Sequence, residues 1–305
     1  MQRTRKVQGL LAAVAGLVAM IALAAPAQGA TLSGPWAPFT RCPVDEPALL
    51  GSPANAFGTV CVASDSPSGT FTIGKTTVTT GDTNLQFGVS GQDPDNPNQG
   101  AVVPVPDRGS LVAAPAQVPG GLLGLICPSG NGVLQAICNT VVGSPLNKVT
   151  AAVELAGEPD NFNAAGALGT GVPVVTLPVK VHLENPVLGP NCYIGSDQDP
   201  IVLHPESSVV GTPTGAAFGG GFSGFIISIS GSTLGDDSFA VPGASGCGGP
   251  LASIVNRVVN AKQHLPSPAG QNAVVLDDVT ASTAITQQGG QVLHDAWHTF
   301  CESDC

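Results

Sequence analysis

The chain has 305 residues, of which 10% are charged and 43% hydrophobic, with 40 glycines and 27 prolines. Its formal net charge is −11, from 10 Lys+Arg and 21 Asp+Glu. Cations this few and this dispersed exclude a basic patch for nucleic acid or for an anionic membrane surface. The hydrophobic share excludes wholesale disorder.

Residues 1–30 read as a signal peptide. Arg3, Arg5 and Lys6 form a basic start, Leu10–Ala25 is an uninterrupted apolar run, and Ala25-Pro26-Ala27 and Ala27-Gln28-Gly29 offer small residues for cleavage. The run is short for a spanning helix, no cysteine stands near the cleavage site for lipid attachment, and no later run approaches spanning length. The expected location is secreted, extracellular or cell-wall associated, with no membrane span in the mature chain. Cleavage removes three basic residues and leaves 7 Lys+Arg against 21 Asp+Glu, a net −14.

All eight cysteines follow the leader, at 42, 61, 127, 138, 192, 247, 301 and 305. An even number in an exported chain reads as four disulfides, with 105 possible pairings. Proximity in sequence suggests Cys42–Cys61, Cys127–Cys138, Cys192–Cys247 and Cys301–Cys305. The third closes a loop of roughly fifty residues and stabilises by about 4 kcal/mol in the chain-entropy model.

Residues 31–305 are expected to form a single secreted β-rich domain. Residues 31–68 read as an irregular, proline-rich segment closed by the first cysteine pair, with Trp36, Phe39 and Phe57 over one end of the core. Gly69–Ser90 reads as a hairpin turning at Gly81–Asn84. Gln92–Gly100 is a polar loop, and Ala101–Pro106 an edge-like strand limited by its prolines. Leu122–Val142 reads as helical, clamped by Cys127–Cys138. Lys148–Ala156 alternates apolar and polar residues.

The clearest strand follows. Leu177, Val179, Val181 and Leu183 alternate with Pro178, Lys180, His182 and Glu184, the period of a half-buried strand. Lys148–Ala156 is expected to pair with it antiparallel. Ile201–Leu203 is a short apolar run, Ser207–Gly211 follows it, and Gly215–Gly221 reads as a glycine-rich linker. Phe222–Ser230 reads as a strand with Phe225, Ile227 and Ile229 facing one way, and Phe239–Val241 as a returning strand. Leu251, Ile254, Val255, Val258 and Val259 form an amphipathic stripe that predicts a helix over Leu251–Ala261. Ala273–Ile285 fits strand or helix. Residues 286–305 form a tail with a short helix over Gln291–Phe300. The fold class is mainly β: an antiparallel β-sandwich or barrel-like domain with a few short helices, braced by disulfides.

Complete catalytic motifs are lacking. His294 and His298 stand four apart, so a helix projects both imidazoles from one side, and HDAWH approximates the H-E-x-x-H zinc-protease motif. Asp295 replaces the Glu and is one methylene shorter. Cys301 cannot be a thiolate ligand if it is in a disulfide. The pair is a weak metal candidate, and no metal, cofactor or catalytic residue is assigned. Asp93-Pro94-Asp95-Asn96 and Asp197-Gln198-Asp199 offer too few oxygens for calcium and read as turns. His182 and His204 have no sequence-local nucleophile, and GFSGF and GASGC miss the nucleophile-elbow pattern.

Asn185–Pro205 (NPVLGPNCYIGSDQDPIVLHP), Phe239–Gly249 (FAVPGASGCGG) and the TFTIGKTTV stretch together resemble a family of uncharacterised secreted actinobacterial proteins. The resemblance covers most of the chain after about Gly69 and stops before the tail at Gly289. It transfers no activity. It supports Cys192–Cys247, because those cysteines sit in the two best-matching segments.

The leading expectation is a non-enzymatic secreted or cell-envelope-associated protein with a structural or binding role and an extracellular or envelope partner. The alternatives are a secreted hydrolase, metal-assisted through His294 and His298, and an envelope pore or oligomer-forming β protein. Peptide mapping under non-reducing conditions is expected to link the Cys192 and Cys247 peptides; Cys192 linked elsewhere would refute the pairing.

Overall fold

The computed structural model describes residues 30–55, 58–91, 100–127, 138–139, 141–219, 223–303 and 305. The signal peptide, Phe57, the Asp93–Asn96 loop and the middle of the Leu122–Val142 segment lie outside them.

Two antiparallel sheets make a β-sandwich. The larger runs in the order Glu206–Val209, Gly224–Asp236, Ala273–Thr286, Thr59–Ser66, Thr83–Ser90 and Ala101–Pro104, with shorter strands on its flanks. The smaller is centred on Leu177–Glu184, which pairs with Thr150–Leu155 on one side and with Tyr193–Ile194 and Ile201–Leu203 on the other. Leu177, Val179, Val181 and Leu183 are all buried, as their alternation predicts. They face the larger sheet across the main core, together with Phe71, Phe87, Val274 and Leu203.

The larger sheet is covered on its other face too. Trp36, Phe39, Leu49, Leu293 and Trp297 form a second core against Cys61, Ala63, Ile226 and Ala284. Residues 30–55 and the Gly290–Thr299 helix supply this layer. Trp297 Nε1 donates to the Phe39 carbonyl at 2.8 Å, and Trp36 packs edge-on against Phe39 and Phe218. Thr31–Leu32 pairs with Cys301–Ser303, so the two ends of the described chain lie together. At Gly88 a Cβ would come within 2.7 Å of Leu49, so glycine allows this layer to approach the sheet.

The double coverage corrects several expectations. Residues 31–68 are not irregular throughout. Thr59–Ser66 is a central strand, and its first five residues are buried without alternation because both faces are covered. The tail is likewise part of the second core. Ala273–Thr286 is a strand of 14 residues, paired with Thr59–Ser66 and then with Ser68–Ile73. Asp278, at φ 53°, lies in a bulge near that change of partner.

The Gly69–Ser90 hairpin turns earlier than expected. Ser68–Ile73 pairs with Thr76–Thr80 around Gly74-Lys75, and Thr83–Ser90 pairs with Thr59–Ser66 instead. Gly74 adopts φ 55°, which a two-residue turn favours and the threonine-rich run conceals. The described part of the glycine-rich linker is strand: Thr212–Phe218 pairs with Gly224–Asp236. Phe239–Val241 is not a strand; Val241 exchanges two hydrogen bonds with Ser267. The Ala252–Gln263 helix buries Val255 and Val259, whereas Leu251 and Ile254 are exposed, a narrower stripe than the sequence suggests. Within Leu122–Val142 the described residues are helical at both ends, over Gly121–Ile126 and at Cys138, Asn139 and Val141.

Cystine bridges join Cys42 to Cys61, Cys127 to Cys138, Cys192 to Cys247 and Cys301 to Cys305. Their sequence separations are 19, 11, 55 and 4 residues. Chain entropy predicts that Cys192→Ser/Cys247→Ser costs about 4 kcal/mol and Cys301→Ser/Cys305→Ser about 2 kcal/mol. Urea denaturation of both double variants checks the order.

Candidate functional site

The Leu177–Glu184 strand presents two chemically distinct faces. Its outward face carries Lys180, His182 and Glu184, and its neighbours complete a charged cluster. Glu154 stands directly opposite Lys180, and Tyr193 opposite His182. The His182 ring stacks on Tyr193 with centroids 4.4 Å apart, and Lys180 Nζ lies 5.0 Å from the Tyr193 centroid. Lys180 pairs with Asp197 at 2.9 Å and Glu154 at 3.9 Å. Arg108 grips Asp197 with both terminal nitrogens, each at 3.1 Å. Asp107 and Arg108 adopt left-handed backbone at φ 55° and 59°. Such a conformation costs an ordinary side chain free energy.

Chemically, this cluster is a zipped network. Hydrogen bonds from Arg108 first and Lys180 second hold the Asp197 carboxyl at about 2. Burial first, then Glu154, pushes the Tyr193 hydroxyl up. His182 directs Nε2 at the Pro190 carbonyl, 3.1 Å away, and Nδ1 at Glu154, 3.4 Å away. Acceptors lie beside both nitrogens and Tyr193 stacks on the ring, which holds the imidazole as a structural element of the sheet. His204 is exposed on a separate segment, where its backbone N–H donates to Asp236. Asp197 is committed to cations, and the Asp199 N–H donates to Ser196 Oγ in a turn.

The inward face meets a cavity of about 120 Å³ between the sheets. Leu177, Val179, Val181 and Leu183 line it from the smaller sheet, and Phe71, Ile73, Val274 and Leu276 from the larger. Among the described residues no charged side chain lines it. Its wall is half-buried at Thr76, Val78, Thr80, Ala113 and Ala116, which places the route to solvent beside the Thr76–Thr80 edge strand. Thr80 Oγ1 is buried with no hydrogen-bond partner among the described residues. A second cavity of about 90 Å³ shares Thr83, Leu111, Leu177 and Leu276 with the first.

A third cluster lies on the opposite side of the larger sheet. His294 and His298 share one side of the Gly290–Thr299 helix, and each places Nε2 3.2 Å from Asp45 Oδ1. His294 Nδ1 is 3.0 Å from Asp295, whose carboxyl is lowered by the hydrogen bonds from His294 and then Gln291. Sequence reasoning singles out the two histidines and misses Asp45, which is 249 positions from His294. It also misses Glu154 and Tyr193, which strand register brings to the cluster, and Arg108, which reaches it from the Pro106–Arg108 turn.

Among the described residues no helix is long and apolar enough to cross a membrane. No protein-family model, curated protein or solved structure matches the chain.

The Asp197 network carries a pH prediction. A carboxyl lowered from its unfolded value of about 3.9 stabilises the fold above that pH, and the contribution is lost as pH falls toward 2. Asp197 is 37% exposed, so water screens the pairs. Asp197→Asn is expected to cost at most about 1 kcal/mol at neutral pH, with the difference shrinking between about pH 4 and pH 2. Urea melts of both proteins across that range check it.

Proposed function

We propose that the protein is an exported, non-catalytic binding protein whose cavity between the sheets holds a small, neutral, apolar ligand. The observation that carries this reading is the uncharged cavity against the inward face of Leu177–Glu184. Close-packed interiors hold few voids larger than a water molecule. A void of about 120 Å³ that stays uncollapsed costs on the order of 3 kcal/mol. Retaining it against a regular strand supports use as a binding site.

Size and chemistry narrow the ligand. An apolar cavity of about 150 Å³ admits benzene; this one is smaller, at about 120 Å³, and suits a ligand no larger than benzene or a short alkyl chain. A charged ligand would lose hydration and find no counter-charge on the wall. The disulfides and acidic composition fit an extracellular setting. A hydrolase acting through His294 and His298 would need a general base, and Asp295, at the position of the motif's Glu, is engaged by His294 and Gln291.

Benzene is expected to bind the purified protein in a one-to-one complex that shifts the methyl NMR signals of Val179, Val181 and Leu183. Ala151→Leu extends a cavity-lining residue of the smaller sheet into the space. It should weaken binding at least about tenfold while leaving thermal stability unchanged or raised. Benzene affinity unchanged in a natively folded Ala151→Leu protein would refute the assignment.

A further inference from the structure

Asp45, His294 and His298 form the one group among the described residues whose histidine and carboxylate atoms are placed to hold a metal ion, with all donor atoms within 4.8 Å of one another. We infer that this group is a site for a divalent transition metal, of the zinc class, that clasps the N-terminal layer to the C-terminal helix.

The distances fit the ion. A tetrahedral zinc with bonds of about 2.0 Å sets neighbouring donors about 3.3 Å apart. Both Nε2 atoms lie 3.2 Å from Asp45 Oδ1. The donor set discriminates as well. Two imidazoles and a carboxylate suit zinc and its transition-metal neighbours, whereas calcium and magnesium require a shell of oxygens.

Tautomer chemistry points the same way. Asp295 Oδ1 lies 3.0 Å from His294 Nδ1 and accepts from Gln291 Nε2 at 2.7 Å. A neutral His294 donating from Nδ1 presents its Nε2 lone pair to the Asp45 oxygen. Two acceptors then face each other at 3.2 Å, and either a proton on Nε2 or a metal ion between them resolves the contact. A carboxylate behind a ligating histidine is the usual outer partner of a zinc site: it fixes the tautomer and makes the ligand more basic.

The supporting backbone is anchored on both sides. Asp45 follows Cys42, which is bridged to buried Cys61 in the central sheet. The helix is held by buried Leu293 and Trp297, and His298 packs edge-on against the Trp297 ring. The side chains of His294, His298 and Asp45 are 24%, 30% and 66% exposed, so an ion can enter from solvent and keep water in its remaining position. Because the site joins residues 249 positions apart, an ion that binds only the folded state stabilises it by mass action.

The test uses tag-free protein stripped with a chelator and titrated with zinc chloride, read by calorimetry and by thermal melting. One zinc per chain and a raised Tm are expected, with calcium chloride giving neither. Asp45→Asn and His298→Ala alter exposed or half-exposed side chains, and circular dichroism checks that they fold. Each is expected to raise the zinc Kd at least tenfold, and Asp295→Asn by about ten- to a hundredfold through its hold on His294. No stoichiometric zinc in the parent protein would overturn the inference, and so would zinc binding that is unchanged in folded Asp45→Asn and His298→Ala. The latter outcome would move the site elsewhere. The former would leave the three side chains as an ion-paired cluster only.

Discussion

The larger sheet is buried on both faces, and the rest of the structure follows from that requirement. A half-buried antiparallel sheet needs one covering layer. This one has two: the smaller sheet on one side, and the N-terminal segment with the C-terminal helix on the other. The second layer is assembled from chain segments far apart in sequence. It therefore depends on long-range ties: the Cys42–Cys61 bridge, the Trp297–Phe39 hydrogen bond and the pairing of Thr31–Leu32 with Cys301–Ser303. The Asp45, His294 and His298 cluster lies on the same seam. An ion there would act where chain connectivity gives the least help.

The smaller sheet has a different task. Its central strand packs apolar side chains inward, yet the two sheets do not close fully on each other, and a cavity remains. The outward face of the same strand carries a dense charged network. Lys180 and Arg108 converge on Asp197 from separate segments, and His182 and Tyr193 stack across the register. Individually exposed ion pairs contribute little. Linked through shared partners, they fix the outer surface of the sheet that walls the cavity. The left-handed backbone at Asp107 and Arg108 is the cost of aiming Arg108 at that point.

Legibility in the sequence followed periodicity. The Leu177–Glu184 strand alternates, and its burial alternates with it. The Gln291–Phe300 prediction lies one residue from the observed Gly290–Thr299 helix. Thr59–Ser66 was hidden because burial on both faces erases alternation, and the prolines before it suggested an irregular segment. The Thr212–Phe218 strand was hidden because its glycine and alanines pair through backbone alone, with little side-chain pattern. On the Leu251–Ala261 helix the apolar stripe is real, but it is buried at Val255 and Val259, partly at Val258, and left exposed at Leu251 and Ile254.

The candidate sites divide along the same line. His294 and His298 were visible because helical spacing is local, and so were the inward residues of Leu177–Glu184. Asp45 and the cation pair on Asp197 were not, because their partners are set by sheet register and by the docking of distant segments. By itself, the sequence determined the antiparallel β class, the alternation of the central strand and the shared side of the two histidines, all of which arise from backbone geometry within a few residues. Tertiary structure alone decided the double coverage of the larger sheet, the cavity left between the sheets and the carboxylate that completes the histidine pair. Those depend on how surfaces far apart in the chain fit together, and no local pattern encodes that fit.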